Sequence, residues 1–266
     1  MLNSCQGENE PVEAENVPME TDSVSVNKSD SSETSSDSDS IIRKVLFVCA
    51  QEDIAMELAI SLGLNLNAQA EFHVGTDWKF YAGDRNNMEI GVVALGKYST
   101  GERNFGLLPL SLLAFAAAEL LNPDLIINLG KATGTDFDVA QYNQLFLASS
   151  VRFLEPNEGL PVFESPDFGL QNWQPQKLIR ELGFRTGCLY SSAPDSVLAD
   201  DAVMIDKEGA AVAYSVCYIL NYPTLYLKHI TEIVDEYPPE VDSNVLITAA
   251  MRIIDYVAGK TLDELD

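Results

Sequence analysis

Short apolar runs alternate with longer segments of helical periodicity from residue 41 to the end of the chain. The short runs have the length and the Val, Ile and Leu content of buried strands, and apolar residues recur every three or four positions in the segments between them. This alternation predicts an α/β domain with a central, mostly parallel mixed sheet that helices cover on both faces. The predicted strands are Lys44 to Cys49, Met88 to Leu95, Leu125 to Leu129, Gln144 to Ser149, Gly187 to Ser191 and Thr224 to His229. The predicted helices are Gln51 to Leu62, Leu107 to Leu121, Gln176 to Leu182, Glu208 to Leu220 and Ser243 to Ala258.

The first 40 residues have a different pattern, with ten acidic residues, ten serines, one lysine and no aromatic side chain. Such a segment buries too little apolar surface to offset the entropy lost on ordering. We therefore predict a disordered acidic tail at 1–40 and one folded domain at 41–266. Ser36 has an acidic residue, Asp39, three positions on, and we expect acid-directed phosphorylation there. A tail that only improves solubility is the alternative.

The charge of the chain excludes several classes of partner. Its formal net charge is −25 at pH 7, and binding to the phosphates of nucleic acids requires a basic surface. We expect no nucleic acid partner and no association with anionic membranes. The sequence has no apolar run long enough to cross a bilayer and no secretory leader pattern, so we expect an intracellular protein, cytoplasmic with the nucleus left open.

Cysteine and histidine are too sparse for the common metal sites and for a serine, histidine and aspartate triad. The chain has four cysteines and two histidines. Cys49 and Cys217 lie within apolar runs, which is typical of buried thiols. We expect no metal and no cofactor.

Two carboxylates stand where an α/β fold forms its ligand crevice. Glu208 follows a predicted turn and opens a helix, and Glu232 comes at the carboxyl end of a buried strand. In open α/β sheets, ligands bind outside the carboxyl ends of the strands. The pair therefore outlines a pocket, which we interpret as a nucleoside site.

Three segments in this order carry a family resemblance. They are residues 121–128 with the predicted glycine turn 130–134, the run Glu208-Gly209-Ala210-Ala211-Val212-Ala213, and the strand end 230–235. With them, the domain resembles 5′-methylthioadenosine/S-adenosylhomocysteine nucleosidases of the plant type, within the nucleoside phosphorylase superfamily. The resemblance covers nearly all of residues 44–265. It implies a three-layer α/β/α nucleoside phosphorylase-like fold, a homodimer, and hydrolysis of the bond between adenine and a 5′-thio-ribose.

The resemblance also assigns roles to residues. Glu208 matches the glutamate that grips the ribose hydroxyls, and Glu232 stands where the family has an aspartate that protonates the purine. Ile54 falls at the position of the glutamate that activates water, and isoleucine cannot take a proton. Asp53 or Glu52 could replace that base if the backbone shifts, although both acids are also explained by the helix dipole. The implied ligand-binding positions are Glu208, Lys207, Thr231, Gly130, Lys131, Ala132 and Ser191.

Several of these positions depart from the family pattern. Lys131 replaces a small residue, usually serine or threonine, and Lys207 replaces a methionine beside the ribose. Either Lys131 binds an anionic ligand, or it extends to solvent or pairs with Glu208 or Glu232. Asp195 falls near the residue that stacks on adenine. Tyr98 is a possible replacement for it, with a surface tyrosine as the alternative.

Two hypotheses follow from these departures. We favour a protein that keeps the fold and binds a purine nucleoside or a protein partner while its catalysis is impaired, because the water-activating position, the glycine segment and the purine wall are all altered. The alternative is an active nucleosidase or phosphorylase of altered specificity, supported by Glu208 and the near-conservative Glu232.

Overall fold

The computed structural model describes residues 40–66, 77–96, 106–136, 138–154, 173–192, 202–237, 239–242 and 244–266. Residues 1–39, with the predicted phosphorylation at Ser36, lie outside the described residues, as do Tyr98 and Asp195. All that follows concerns the described part of the chain.

Nine strands of this part form one mixed sheet. They are β1 Lys44–Cys49, β2 Asn65–Leu66, β3 Lys79–Arg85, β4 Met88–Ala94, β5 Leu125–Gly134, β6 Leu145–Leu154, β7 Arg185–Ser192, β8 Met204–Asp206 and β9 Thr224–Ile233. Their order is β2-β3-β4-β1-β5-β8-β7-β6-β9, and β5 also pairs with β9, so the last five strands close on themselves. Five of the strand pairs are parallel: β1 with β4, β1 with β5, β5 with β9, β6 with β7, and β7 with β8. The predicted mostly parallel mixed sheet is confirmed.

Helices cover both faces of the sheet. They are α1 Glu52–Leu62, α2 Leu107–Leu121, α3 Gln176–Leu182, α4 Gly209–Val212 and α5 Asn244–Val257; a π-helical segment, Ala213–Ile219, continues α4, and a 3₁₀ helix spans Asp263–Leu265. Helices α1, α3 and α5 contribute to one apolar core, and α2, α4 and the π-helical segment contribute to another. The two cores on opposite faces make the three predicted layers.

The apolar pattern predicted the long elements well. The bounds of α2 and α3 agree with the prediction, and all six predicted strands are present, four of them with longer carboxyl ends. Strands β2, β3 and β8 were not predicted. Two of them have only two or three residues, and β3 is largely polar, so none forms an apolar run.

The glycine segment at 130–134 is a correction. It was predicted as a turn, but it is the end of strand β5 and pairs with β9, with a register shift between Ala132 and Thr133. Close packing explains the glycines instead. A Cβ at Gly130 would lie 3.3 Å from Lys228 Nζ, and one at Gly134 would lie 2.9 Å from the Cβ of Ala140. Glycine here admits neighbouring side chains and does not supply a special backbone angle.

Candidate functional site

Glu208 lies where strand β8 passes into helix α4. The strand ends at Asp206, and Glu208 is the N-cap residue of the helix. Its side chain is half-buried. Burial raises the pKa of the Glu208 carboxyl above its usual value of 4.5, and the negative charge of Asp206 raises it further, whereas Lys228 and Lys207 lower it. The prediction that Glu208 opens a helix is confirmed.

A buried ion pair involves Asp206, two residues before Glu208. Lys228 Nζ is 2.7 Å from Asp206 Oδ2, and each side chain is 1% exposed. The same ammonium donates to Asn128 Oδ1 at 2.7 Å, and Asn128 Nδ2 donates to the carbonyl oxygen of Val48 at 3.1 Å. The charges and amide groups are therefore paired within the protein.

Asp206 also holds the start of the helix. Its carboxylate accepts hydrogen bonds from the backbone amides of Glu208, at 3.1 Å, and Gly209, at 3.0 Å. It accepts another from the Ser191 hydroxyl, which in turn accepts from the amide of Ala210 at 2.8 Å. We call the four side chains that make these contacts the buried polar cluster: Asn128, Ser191, Asp206 and Lys228.

Ser191, one of the predicted ligand-binding residues, is 0% exposed. Its hydroxyl is engaged within the buried polar cluster, where it donates to Asp206 and accepts from the amide of Ala210. In this arrangement Ser191 contributes to holding the start of the helix that follows Glu208.

Glu232 lies near the carboxyl end of β9, as predicted, and its side chain is exposed. Thr133, its partner across the β5 and β9 ladder, donates a hydroxyl hydrogen bond to Glu232 Oε2 at 3.3 Å. Thr231 is half-buried beside it. The Glu232 carboxylate thus lies near the carboxyl end of β9 and accepts a hydrogen bond from the uncharged Thr133 hydroxyl.

Ile54 lies in the first turn of α1, which begins directly after β1. The residue is 4% exposed and belongs to the apolar core formed with α3 and α5. Burial raises the pKa of Cys49, at the end of β1, to about 12; the charge of Lys228 opposes this rise and that of Asp53 adds to it. On β3, the hydrogen bond to Asp77 is the main cause that raises the pKa of Lys79, and burial is the main cause for Tyr81, with Glu52 a smaller contributor to both.

Lys131 faces the other side of the sheet from the buried polar cluster. In β9, Lys228 and His229 point to opposite faces, and Lys131 is the cross-strand neighbour of His229. The positive charge of Lys131 lowers the pKa of His229, after burial, which is the larger cause. Among the described residues, no ion pair joins Lys131 to Glu208 or Glu232, so the predicted pairing is not present there. Gly130 and Ala132, on either side of it, are buried.

Lys207 has an exposed side chain next to Glu208, where it lowers the pKa of the Glu208 carboxyl. The buried cation of this region is Lys228, which the sequence interpretation overlooked. A partial signal was available, because Asn128 lies within the apolar run 125–129 and Lys228 directly follows the apolar residues 225–227. Polar residues in buried strands need partners, so two of them on adjacent strands indicate a contact.

The described residues contain neither a cluster of metal ligands nor a membrane-spanning helix. No group of three or more His, Cys, Asp or Glu side chains is placed to hold a metal ion there. None of the helices described is both long and apolar enough to span a membrane.

Comparison with known proteins gives the family of the chain. No protein-family model matches it. The chain is 32% identical to 5′-methylthioadenosine nucleosidase of Arabidopsis thaliana, across 84% of this chain and 91% of that protein. It is also 32% identical to 5′-methylthioadenosine/S-adenosylhomocysteine nucleosidase of the same plant, across 84% and 95%. The structure of the A. thaliana 5′-methylthioadenosine nucleosidase in its apo form superimposes with a TM-score of 0.74, at 29% identity, across 85% of this chain and all of that one. The chain therefore belongs to the 5′-methylthioadenosine/S-adenosylhomocysteine nucleosidase family.

Proposed function

We propose that this protein binds a purine nucleoside through Glu208 and hydrolyses it poorly or not at all. One contrast supports the proposal. The backbone of Glu208 is held by a fully paired polar cluster, whereas Ile54, at the position expected to activate water, is an apolar side chain that is 4% exposed. Binding and water activation are separate tasks, and this contrast supports a protein that performs the first and not the second.

The binding task suits a half-buried carboxylate. Ionised Glu208 accepts hydrogen bonds through two oxygens and can therefore hold two neighbouring sugar hydroxyls. Hydrogen bonds to a charged group contribute about 1.5–3 kcal/mol each, more than neutral ones. Burial and Asp206 raise the pKa of Glu208, and Lys228 and Lys207 oppose that rise. A ribose diol is therefore the ligand group that we assign to this carboxylate.

Hydrolysis of an N-glycosidic bond requires more. An acid must protonate the departing base, and a base must activate water. Glu232 stands at the acid position with one methylene more than aspartate, and misplacement by about 1 Å can cost about a hundredfold in rate. Loss of a general base costs about 10²- to 10⁴-fold. Together these changes support impaired catalysis.

Isothermal titration with 5′-methylthioadenosine tests the binding proposal. We expect wild-type protein to bind and Glu208→Gln to bind at least about tenfold more weakly, because an amide is a poorer acceptor for two hydroxyls. Glu57→Gln changes an exposed glutamate of α1 in the same way and serves as the matched control. Equal affinity in wild type and Glu208→Gln, or no binding of purine nucleosides by the wild type, would overturn the proposal.

An active nucleosidase or phosphorylase of altered specificity is the second candidate. Two observations favour it: Glu232 is exposed near the carboxyl end of β9, and Asp53 is an exposed carboxylate in the first turn of α1, next to Ile54. Asp53 is then the acid that would replace the missing base. Release of free base that is lost in both Glu232→Ala and Asp53→Ala would support this candidate over the first.

We also propose a homodimer formed through α2. Leu108, Leu112 and Phe115 recur at helical spacing on this helix and are 70%, 53% and 37% exposed. The adjoining π-helical segment adds Tyr218 and Ile219, both exposed. Light scattering after gel filtration should give twice the chain mass, and Leu112→Glu should lower it toward one chain. A monomeric wild type at micromolar concentration would rule the dimer out.

A further inference from the structure

The buried polar cluster connects five strands of the sheet. Its members lie on β5, β7, β8 and β9, and Asn128 extends the connection to the backbone of β1 at Val48. These strands lie next to one another where the sheet closes on itself. One ion pair thus links the centre of the sheet with the turn that carries Glu208.

The cluster ends on three consecutive backbone amides. Asp206 accepts from Glu208 and Gly209, and Ser191 accepts from Ala210. The first amides of a helix have no partner within the helix, so side chains must supply the acceptors. Here the acceptors are the side chains of Asp206 on β8 and Ser191 on β7. The backbone that carries the Glu208 carboxylate is therefore tied to the sheet at three successive positions.

Stability alone does not explain a cluster of this kind. Removing two charges from water costs several kcal/mol for each ion, and replacing a buried ion pair by apolar residues is often neutral or stabilising. Such a pair is more informative as a source of fixed geometry. Every charge of this pair is matched, and the hydrogen bonds converge on one turn.

We infer that the buried polar cluster is a positioning device that fixes Glu208 for the sugar hydroxyls of a nucleoside. The inference rests on the proposed function, because it assigns the device to the ligand group that Glu208 is proposed to hold. Its members are positioning residues, since they act on ligand through the backbone of Glu208. Only Lys207 separates Asp206 from Glu208 in the chain, so a shift of Asp206 moves the carboxylate of Glu208 directly.

Ser191→Ala is the mildest variant that breaks the device. It removes one hydroxyl that both donates to Asp206 and accepts from Ala210. Ser215→Ala is a matched control, because Ser215 is also buried and its hydroxyl bonds only to Ala211 and Val212 within the same helical stretch. Both variants remove a single buried oxygen near α4, and only the first belongs to the cluster.

Hydrogen exchange at the amides of residues 208–210 provides a measurement that needs no ligand. We expect Ser191→Ala to accelerate exchange there by about tenfold or more, while Ser215→Ala leaves these amides unchanged. Lys228→Met removes the cation that pairs with Asp206, and it should accelerate exchange at the same three amides by a larger factor. Unchanged exchange at 208–210 in both cluster variants, or equal acceleration in Ser215→Ala, would overturn the inference.

The ratio of affinities for 5′-methylthioadenosine and its 2′,3′-dideoxy analogue gives the functional measurement. The ratio is the affinity for 5′-methylthioadenosine divided by that for the dideoxy analogue. If the cluster positions Glu208, Ser191→Ala should lower this ratio by about tenfold, because only the ligand with the diol binds through Glu208. A merely structural role weakens both ligands equally. If the wild type and Ser191→Ala both prefer 5′-methylthioadenosine over the dideoxy analogue to the same degree, the positioning inference fails while the proposed function stands. If the wild type binds neither ligand, the proposed function fails and the assignment to sugar hydroxyls fails with it, and the exchange result then decides only whether the cluster fixes the backbone of Glu208.

Discussion

Two strand-to-helix junctions of this fold carry the positions that the family resemblance assigns to ribose binding and water activation, and they differ in the residues packed against them. At the β8 to α4 junction, Glu208 rests on a buried polar cluster in which each charge is paired. At the β1 to α1 junction, Ile54 rests on an apolar core. The first junction carries a carboxylate whose backbone is held in place, and the second carries an apolar side chain. The difference is the basis of our proposal that ligand binding and water activation have separated within one fold.

Lys228→Met should produce the largest loss of stability. Removing the cation leaves Asp206 buried without a charge partner, and breaking such a pair costs about 3–5 kcal/mol. Ile54→Val at the other junction should cost about 0.5–1.5 kcal/mol, as a single lost methyl group. Urea denaturation of both variants compares the two junctions. Similar losses for both would break the contrast between a polar and an apolar foundation.

Ile54→Glu should sharpen the comparison from the apolar side. A carboxylate here restores a proton acceptor, and we expect adenine release from 5′-methylthioadenosine to rise by about 10²-fold or more. Burial of the polar group should lower the free energy of unfolding by about 1–3 kcal/mol. Ile54→Gln is the control, with similar shape and no base. If Ile54→Glu binds nucleoside and releases no more adenine than Ile54→Gln, the missing carboxylate is not what limits catalysis.

The pH dependence of binding reports on Glu208. Burial raises its pKa above 4.5, and the diol requires the ionised form, so affinity should increase as pH rises through that higher pKa. The stability of the ligand-free protein should change in the opposite sense, because the native state holds the proton more tightly than the unfolded state across this window. Titration calorimetry from pH 4.5 to 8 measures the first effect. A midpoint at or below 4.5, or an unchanged profile in Glu208→Gln, would contradict it.

His229 should give the smallest effect, on the sheet face opposite Lys228. Both of its ring nitrogens are buried without a hydrogen-bond partner in the described structure. Burial and the charge of Lys131 lower its pKa, and Asp242 opposes them. Protonation therefore favours the unfolded state, and stability should fall as pH drops below 6.5. His229→Leu should flatten this part of the curve in thermal denaturation, and an unaltered slope would contradict the assignment.

Much of this architecture could be predicted from the sequence. Apolar runs such as Lys44–Cys49 and helical periodicity such as that of Leu107–Leu121 depend on local patterns, and both elements lie where the pattern predicts them. The apolar spacing after Glu208 placed this residue at the start of a helix for the same reason, and the family motif around it is likewise a continuous stretch of chain.

What could not be predicted depends on contacts between distant residues. Lys228 and Asn128 are 100 positions apart, so the sequence shows two polar residues in buried strands and does not show by itself that the two strands are neighbours. The extension of β5 through residues 130–134 was missed because glycines usually indicate a turn, whereas here they make room for Lys228 and Ala140. The sequence therefore revealed Glu208 but not the buried polar cluster that holds its backbone.

Adenine release from 5′-methylthioadenosine, measured with protein in excess over nucleoside, tests the central claim most directly. Binding is measured on the same samples, for wild type, Glu208→Ala and Glu232→Ala. We predict that wild type binds nucleoside, that Glu208→Ala does not, and that wild type releases adenine no faster than Glu208→Ala. Release by the wild type that Glu232→Ala abolishes would contradict the claim, because it would show that Glu232 still acts as the acid of a working nucleosidase.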